Sequence, residues 1–334
     1  MRKIISFENN PPTFLSYAAV GGYEEGRGPL GKSFDFTDPT DRFGMPTWER
    51  AEGEMGRLSL NLALGKMNLS QTELDVLLAG DLENQCVASS SGLYSFGIPY
   101  IGLYSACSTC TEALLLLSTL ISHTEISLGA TVTTSHNSAA ERQFRTPIEY
   151  GGQRTPTAQW TATASGAFVL GEGAGRVKIL DGMVGKIVDG LTRDASNMGC
   201  AMARAAHDSI YTYFSASKYE PRDFDCIVTG DLGKIGSAVL CEMLERDVPG
   251  AASRHIDCGN LLYSKENKDV HAGASGCGCS ASVLATYFLP KLESGAFKNV
   301  LFMSTGALMS PTSVMQGENI LGVAPAIHLC SPTV

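Results

Sequence analysis

Asp75-Val76-Leu77-Leu78-Ala79-Gly80-Asp81-Leu82 returns further along the chain as Asp225-Cys226-Ile227-Val228-Thr229-Gly230-Asp231-Leu232. Both copies read as a short apolar strand running into a Gly-Asp-Leu turn. A second pair accompanies them. Ala106-Cys107-Ser108-Thr109-Cys110 opens a long apolar helix, and Gly276-Cys277-Gly278-Cys279-Ser280 opens another. Each helix leads into a strand of β-formers, Leu128 to Thr134 and Val300 to Thr305. Two copies of about half the chain each predict a duplicated α/β domain, not a solenoid of many short repeats. The expected halves are residues 1–175 and 176–334. Function should sit where the copies differ and where their equivalent ends meet.

Working outward, the first half predicts a strand within 3–20 and a Gly- and Pro-rich loop over 21–46. A helix capped by Thr47 follows to about Met67, then strand 75–80 and a short helix from about Asn84. Next come a strand over 99–104, the helix from Cys107 to about His123, strand 127–134, a long polar loop over 135–160 and strand 161–170. The second half predicts strands near 176–190, 225–230, 299–305 and 320–329, with helices near 199–218, 234–247 and 276–294. This alternation implies parallel or mixed sheets covered by helices. The helix at Cys107 is apolar on nearly every side, as a central buried helix should be.

Composition narrows the function. The chain has 334 residues and a net charge of −9, whereas a nucleic-acid partner calls for a basic surface. No apolar run approaches the ~18–20 residues of a membrane span. The N-terminus lacks the apolar core of a signal peptide, so an intracellular, reducing location is expected. Ten cysteines then need a reason. Cys107-x-x-Cys110 and Cys277-x-Cys279 make a nominal four-thiolate set. The second spacing does not suit a zinc knuckle, and both pairs start apolar helices, so buried cysteines acting as small hydrophobes are favoured. No metal or cofactor is expected.

These residues resemble a family. Ser105-Ala106-Cys107-Ser108-Thr109 is similar to the nucleophile turn of the thiolase-like condensing enzymes, Thr163–Leu170 to their small-residue strand, and Phe302–Ala307 to their penultimate strand and turn. The stage V sporulation protein AD (SpoVAD) branch is matched more fully. The matching segments are Gly28–Gly31, Ala79–Leu82, Ser135–Asn137, Ala140–Arg145, Glu149–Gln153, Asp257–Gly259 and the Cys277/Cys279 turn. The resemblance implies two fused halves in a five-layer αβαβα arrangement. It also implies a sporulation protein that binds dipicolinic acid (pyridine-2,6-dicarboxylic acid), alone or as its calcium chelate. Such a protein would assist uptake into the forespore with other SpoVA proteins, peripheral to the spore inner membrane. A homodimer is implied too, with strand 127–134 as the expected pairing edge.

Cys107 ends a strand segment and starts a helix, so its sulfur should lie near unpaired N–H groups and the positive helix end. That setting can lower a thiol pKa from ~8.5 toward ~3.5–7.5; the alternative is a small residue chosen for a crowded turn. Cys277, opening the equivalent helix, should face the same pocket. Condensing enzymes also need proton-handling groups. Their two characteristic positions, a His and a His or Asn, fall here at Gly230 or Asp231 and at about Cys277. Neither is imidazole or amide, and His255 and His271 are the flanking substitutes. Acyl-thioester condensation or acyl transfer through Cys107 is therefore the alternative to ligand binding. Arg142, Arg145 and Arg154 cluster in the 135–160 loop. They suit carboxylate capture, or else brace the loop against Glu141 and Glu149 or meet another subunit. His136 and Asn137 either cap the loop or point into the pocket. The expected ligand set is Cys107, His136, Asn137, Arg142, Arg145, Asp231, His255 and Cys277.

Overall fold

A computed structural model describes residues 3–144, 154–173, 176–264 and 266–332. The principal strands of the first half are β1 Thr13–Gly21, β2 Val76–Gly80, β3 Tyr100–Gly102, β4 Leu128–Ser135 and β5 Ala164–Gly171. Those of the second are β6 Lys178–Met183, β7 Cys226–Thr229, β8 His255–Asp257, β9 Asn299–Met303 and β10 Ala326–Cys330. They line up as β8-β7-β9-β10-β6-β1-β5-β4-β2-β3. Read from either end, the order and the polarity are the same. β2 runs parallel to β3 and β4, and β5 runs antiparallel to β4 and β1. β7 runs parallel to β8 and β9, and β10 runs antiparallel to β9 and β6. The halves meet at β1 and β6, where Thr13 faces Lys178.

The repeated segments do the same work in each half. The Asp75 carboxylate accepts from Ser127 N and Leu128 N at 2.9 and 3.0 Å. The Asp225 carboxylate accepts from Lys298 N and Asn299 N at 2.6 and 3.0 Å. Each aspartate thus ties the start of its own strand to the start of the parallel neighbour, fixing register where pairing begins.

The helices are α1 Trp48–Gly65, α2 Val87–Leu93, α3 Thr109–His123, α4 Asn137–Phe144, α5 Met198–Ala216, α6 Gly233–Asp247 and α7 Cys277–Val283. α7 runs on through a wider turn, Leu284–Phe288, into Leu289–Glu293. Leu114 and Leu117 of α3 and Val283 of α7 share one buried core with Phe168 of β5, Phe302 of β9 and Ile327 of β10. These two helices therefore form the middle layer between the two halves of the sheet. Leu60 and Leu64 of α1 pack on the outer face of the first sheet, and Met202, Ile210 and Leu240 of α5 and α6 on that of the second. The result is the expected αβαβα stack. Both outer pairs approach at glycine: a Cβ on Gly53 would lie 2.9 Å from Ala88 O, and one on Gly199 2.3 Å from Leu232 O.

Two expectations change. β4 is hydrogen-bonded on both sides, to β2 and β5, so it is not the edge. Its apolar character reflects burial inside the sheet. The edge is β3, whose Tyr100 and Ile101 are exposed. The segment 135–160 is not one loop, because 137–144 is helical. His136 precedes the helix, and its Nδ1 accepts from Ser138 N in the first turn. Among the described residues, no helix is long and apolar enough to cross a membrane.

Candidate functional site

The N-terminal ends of α3 and α7 converge on one cavity of about 490 Å³. Cys107 reaches its wall through a 3-10 turn, Ala106–Ser108, that precedes α3. Ala106 sits at φ +50°, a left-handed conformation that costs a residue with a Cβ roughly 1–2 kcal/mol. Below the thiol, Ser275 Oγ lies 3.9 Å from Cys107 Sγ. Ser275 Oγ and Gly276 N both donate to Asp231 Oδ2 at 2.9 Å, and Thr305 Oγ1 donates to Asp231 Oδ1 at 2.7 Å. Asp231 is fully buried. Burial raises its pKa, against the pull of these donors.

This arrangement reverses the expected chemistry of the thiol. Burial, then the charge of Asp231, push the Cys107 thiol well above its ordinary range. Burial and the carboxylate beside the thiol disfavour the thiolate and outweigh the helix end. Cys277 is close but does not open onto the cavity. It packs with Leu82, Cys107 and Ala140, and its thiol donates to Thr134 O at 2.8 Å.

The remaining expected ligands have structural partners. His136 Nδ1 accepts from Ser138 N at 3.1 Å, which places the proton on Nε2, the donor to Asp41 O at 2.8 Å. Burial lowers its pKa, so it is a neutral cap on α4, its ring tilted against Trp48 at 5.2 Å. Asn137 donates from N to Thr163 Oγ1 at 3.1 Å and from Nδ2 to Thr161 O at 3.2 Å. Arg142 is exposed and paired with Glu49. Arg145 lies outside the described residues. His255 belongs to edge strand β8. There Thr229 Oγ1 donates to Asp257 at 2.7 Å and so accepts from His255 Nε2, also at 2.7 Å. Burial pushes the His255 pKa down to about 4.

Among the described residues, the cation at the cavity is Arg154. Its Nη1 donates to Gln159 O at 2.8 Å, its Nη2 lies 2.7 Å from Glu141 Oε1, and its guanidinium stacks 4.6 Å over Trp160. Arg154 stood in the arginine cluster of the sequence, but only its place beside the Trp160–Thr161 strand separates it from Arg142. Gln159 and Ser275 carried no motif. Gln159 Nε2 donates to Asp231 O and Ala274 O at 2.6 and 2.9 Å. These carbonyls fix the amide orientation and leave Oε1 buried with no hydrogen-bond partner. Among the described residues, no group of three or more His, Cys, Asp or Glu side chains is placed to hold a metal ion.

Known proteins match both the sequence and the fold. Stage V sporulation protein AD of Bacillus subtilis (strain 168) is 39% identical over 317 residues, covering 95% of this chain and 94% of that protein. Crystal structures of a single-residue variant of OleA from Xanthomonas campestris and of 3-oxoacyl-(acyl carrier protein) synthase III, FabH, from Pseudomonas aeruginosa PAO1 share the fold. The first aligns with a TM-score of 0.60 at 10% identity, covering 99% of this chain and 100% of that one. The second aligns at 0.58 and 13%, covering 97% and 99%. The family profile described as stage V sporulation protein AD matches residues 2–330. The chain belongs to the stage V sporulation protein AD family.

Proposed function

We propose that the protein binds dipicolinic acid in the cavity beside Cys107 and assists its uptake into the forespore with other SpoVA proteins, peripheral to the spore inner membrane, without catalysing a reaction. One observation carries this reading: a partly buried arginine faces a largely apolar cavity, beside a thiol that burial and Asp231 push well above its ordinary range. The volume suits a small aromatic ligand. Small side chains such as Ala106, Ala140 and Ala158 leave room for a planar ring. Arg154 supplies the positive charge that a buried carboxylate requires, while no histidine is among the described residues of the wall. Whether the calcium chelate binds as the free acid does is decided by titrating each.

The second reading is acyl transfer through Cys107, favoured by the chain Cys107–Ser275–Asp231, which offers a route for the thiol proton. Calorimetry with dipicolinate and an acyl-thioester turnover assay separate the two. Saturable binding that survives Cys107→Ala, without turnover, supports the binding protein. Turnover that disappears in Cys107→Ala overturns it.

A further inference from the structure

The charged side chains on the described cavity wall are Arg154 and Glu141, and they are paired with each other. The position on Arg154 that an incoming carboxylate would take is thus held by a carboxylate of the chain itself. Arg154 is also anchored by Gln159 O and by the Trp160 ring, and its side chain is 12% exposed. Glu141 lies mid-way along α4 and is 22% exposed. An anion that takes the place of Glu141 therefore finds the guanidinium still held by Gln159 O and the Trp160 ring.

We propose that Glu141 is an internal competitor for the anion site, and that a carboxylate ligand binds by displacing it from Arg154. This rests on the reading of the cavity as a dicarboxylate site, though the exchange itself requires only an anion. A competitor weakens every anionic ligand by the same factor, so it acts as a threshold. A monocarboxylate trades one ion pair for another and falls below it. A dicarboxylate, whose second group finds donors elsewhere on the wall, clears it. An uncharged ligand of the same shape has no need of Arg154 and is indifferent to Glu141.

The test is calorimetry on the full chain and on Glu141→Gln and Arg154→Gln, with pyridine-2,6-dicarboxylate, benzoate and the neutral pyridine-2,6-dicarboxamide. Glu141→Gln should tighten dipicolinate severalfold to about tenfold, the range of one partly exposed ion pair. It should also bring benzoate into measurable range and leave the dicarboxamide unchanged. Arg154→Gln should abolish the gain. Weaker or unchanged anion binding in Glu141→Gln, with the melting temperature retained, overturns the proposal, because Glu141 would then brace the arginine or be irrelevant to it. Should dipicolinate fail to bind any form, the proposed function falls. Benzoate binding to Glu141→Gln but not to the parent would still establish the exchange, and its absence would sink that as well.

Discussion

Replacing Asp231 tests how the site is held together. Its carboxylate receives Ser275 Oγ, Gly276 N and Thr305 Oγ1, joining the turn after β7 to the start of α7 and the end of β9. Asp231→Ala leaves these donors buried. An abandoned buried donor costs ~1–3 kcal/mol, so with three of them the variant should lose roughly 3–9 kcal/mol, a large part of the ~5–15 kcal/mol typical of a domain. Asp231→Asn has a different outcome. The amide oxygen can accept from Ser275 and Gly276, and the Thr305 hydroxyl can turn to accept from the amide N–H. The loss should then stay within about 1 kcal/mol, the net worth of a neutral hydrogen bond. Removing the charge also takes away the second cause of the raised Cys107 pKa, so Asp231→Asn should be alkylated faster by iodoacetamide at neutral pH. Urea denaturation gives the stabilities, and mass spectrometry of the alkylated thiol gives the rates. An Asp231→Ala variant as stable as its parent would refute the tie. Slower alkylation in Asp231→Asn would refute the electrostatic reading of the thiol.

Further outcomes follow from the same geometry. Burial pushes the carboxyls of Glu25, Glu83 and Asp257 up to about 7. The folded state therefore keeps protons that the unfolded chain sheds near pH 4. Stability should fall as pH rises from about 4 to about 7 and level off above that, so a urea midpoint at about pH 8 higher than at about pH 5.5 would contradict the assignment. Arg142→Ala should leave dipicolinate affinity unchanged and cost at most about 1 kcal/mol, the worth of a surface pair; lost binding would return Arg142 to the ligand set. We propose that two copies pair through the exposed β3 edge: light scattering should give a dimer for the parent and the 35.4 kDa monomer for Ile101→Lys, and a dimer that survives the substitution would place the contact elsewhere. Gly199→Val should destabilise by roughly 1–3 kcal/mol through overpacking at the α5–α6 crossing, and an unchanged melting temperature would show that the helices can part freely.

Much of the fold was legible because the repeat is written in residues that do local work. The strand–turn copies at 75–82 and 225–232 and the Cys-bearing helix starts are short-range patterns, and short-range patterns survive reading one residue at a time. The site was less legible because its members are distant in sequence. Ser275 reaches Asp231, and Gln159 reaches Asp231 and Ala274, only once the halves are packed. Nothing local marks Arg154 as the inward arginine, or Arg142 as the one paired with Glu49 on another element. The histidines misled for a related reason. Polar groups next to a motif looked available, but His136 was needed by backbone at the start of α4, and His255 by Thr229 in an edge strand. The thiol misled because the local rule about helix ends was correct in sign but smaller than burial beside a carboxylate.

Function was expected where the two copies differ, and their aspartates show how that difference arises. In the first half Asp81 is spent locally: Glu83 N donates to its Oδ1 at 2.8 Å, and Ser89 N and Oγ donate to its Oδ2 at 2.8 and 2.6 Å. It holds the turn into α2. In the second half that duty passes to Asp257, which accepts from Leu232 N at 2.8 Å and Gly233 N at 2.9 Å at the start of α6. Asp231, relieved of the turn, swings to Ser275, Gly276 and Thr305 beneath Cys107. The difference between the two aspartates is chemical as well as architectural. A histidine there would take up and return a proton near neutral pH, whereas a buried carboxylate with its oxygens already engaged holds the floor of the cavity rigid and keeps the thiol protonated. The same duplicated turn thus gives one aspartate that holds its own turn and one that ties the floor of the cavity beneath Cys107.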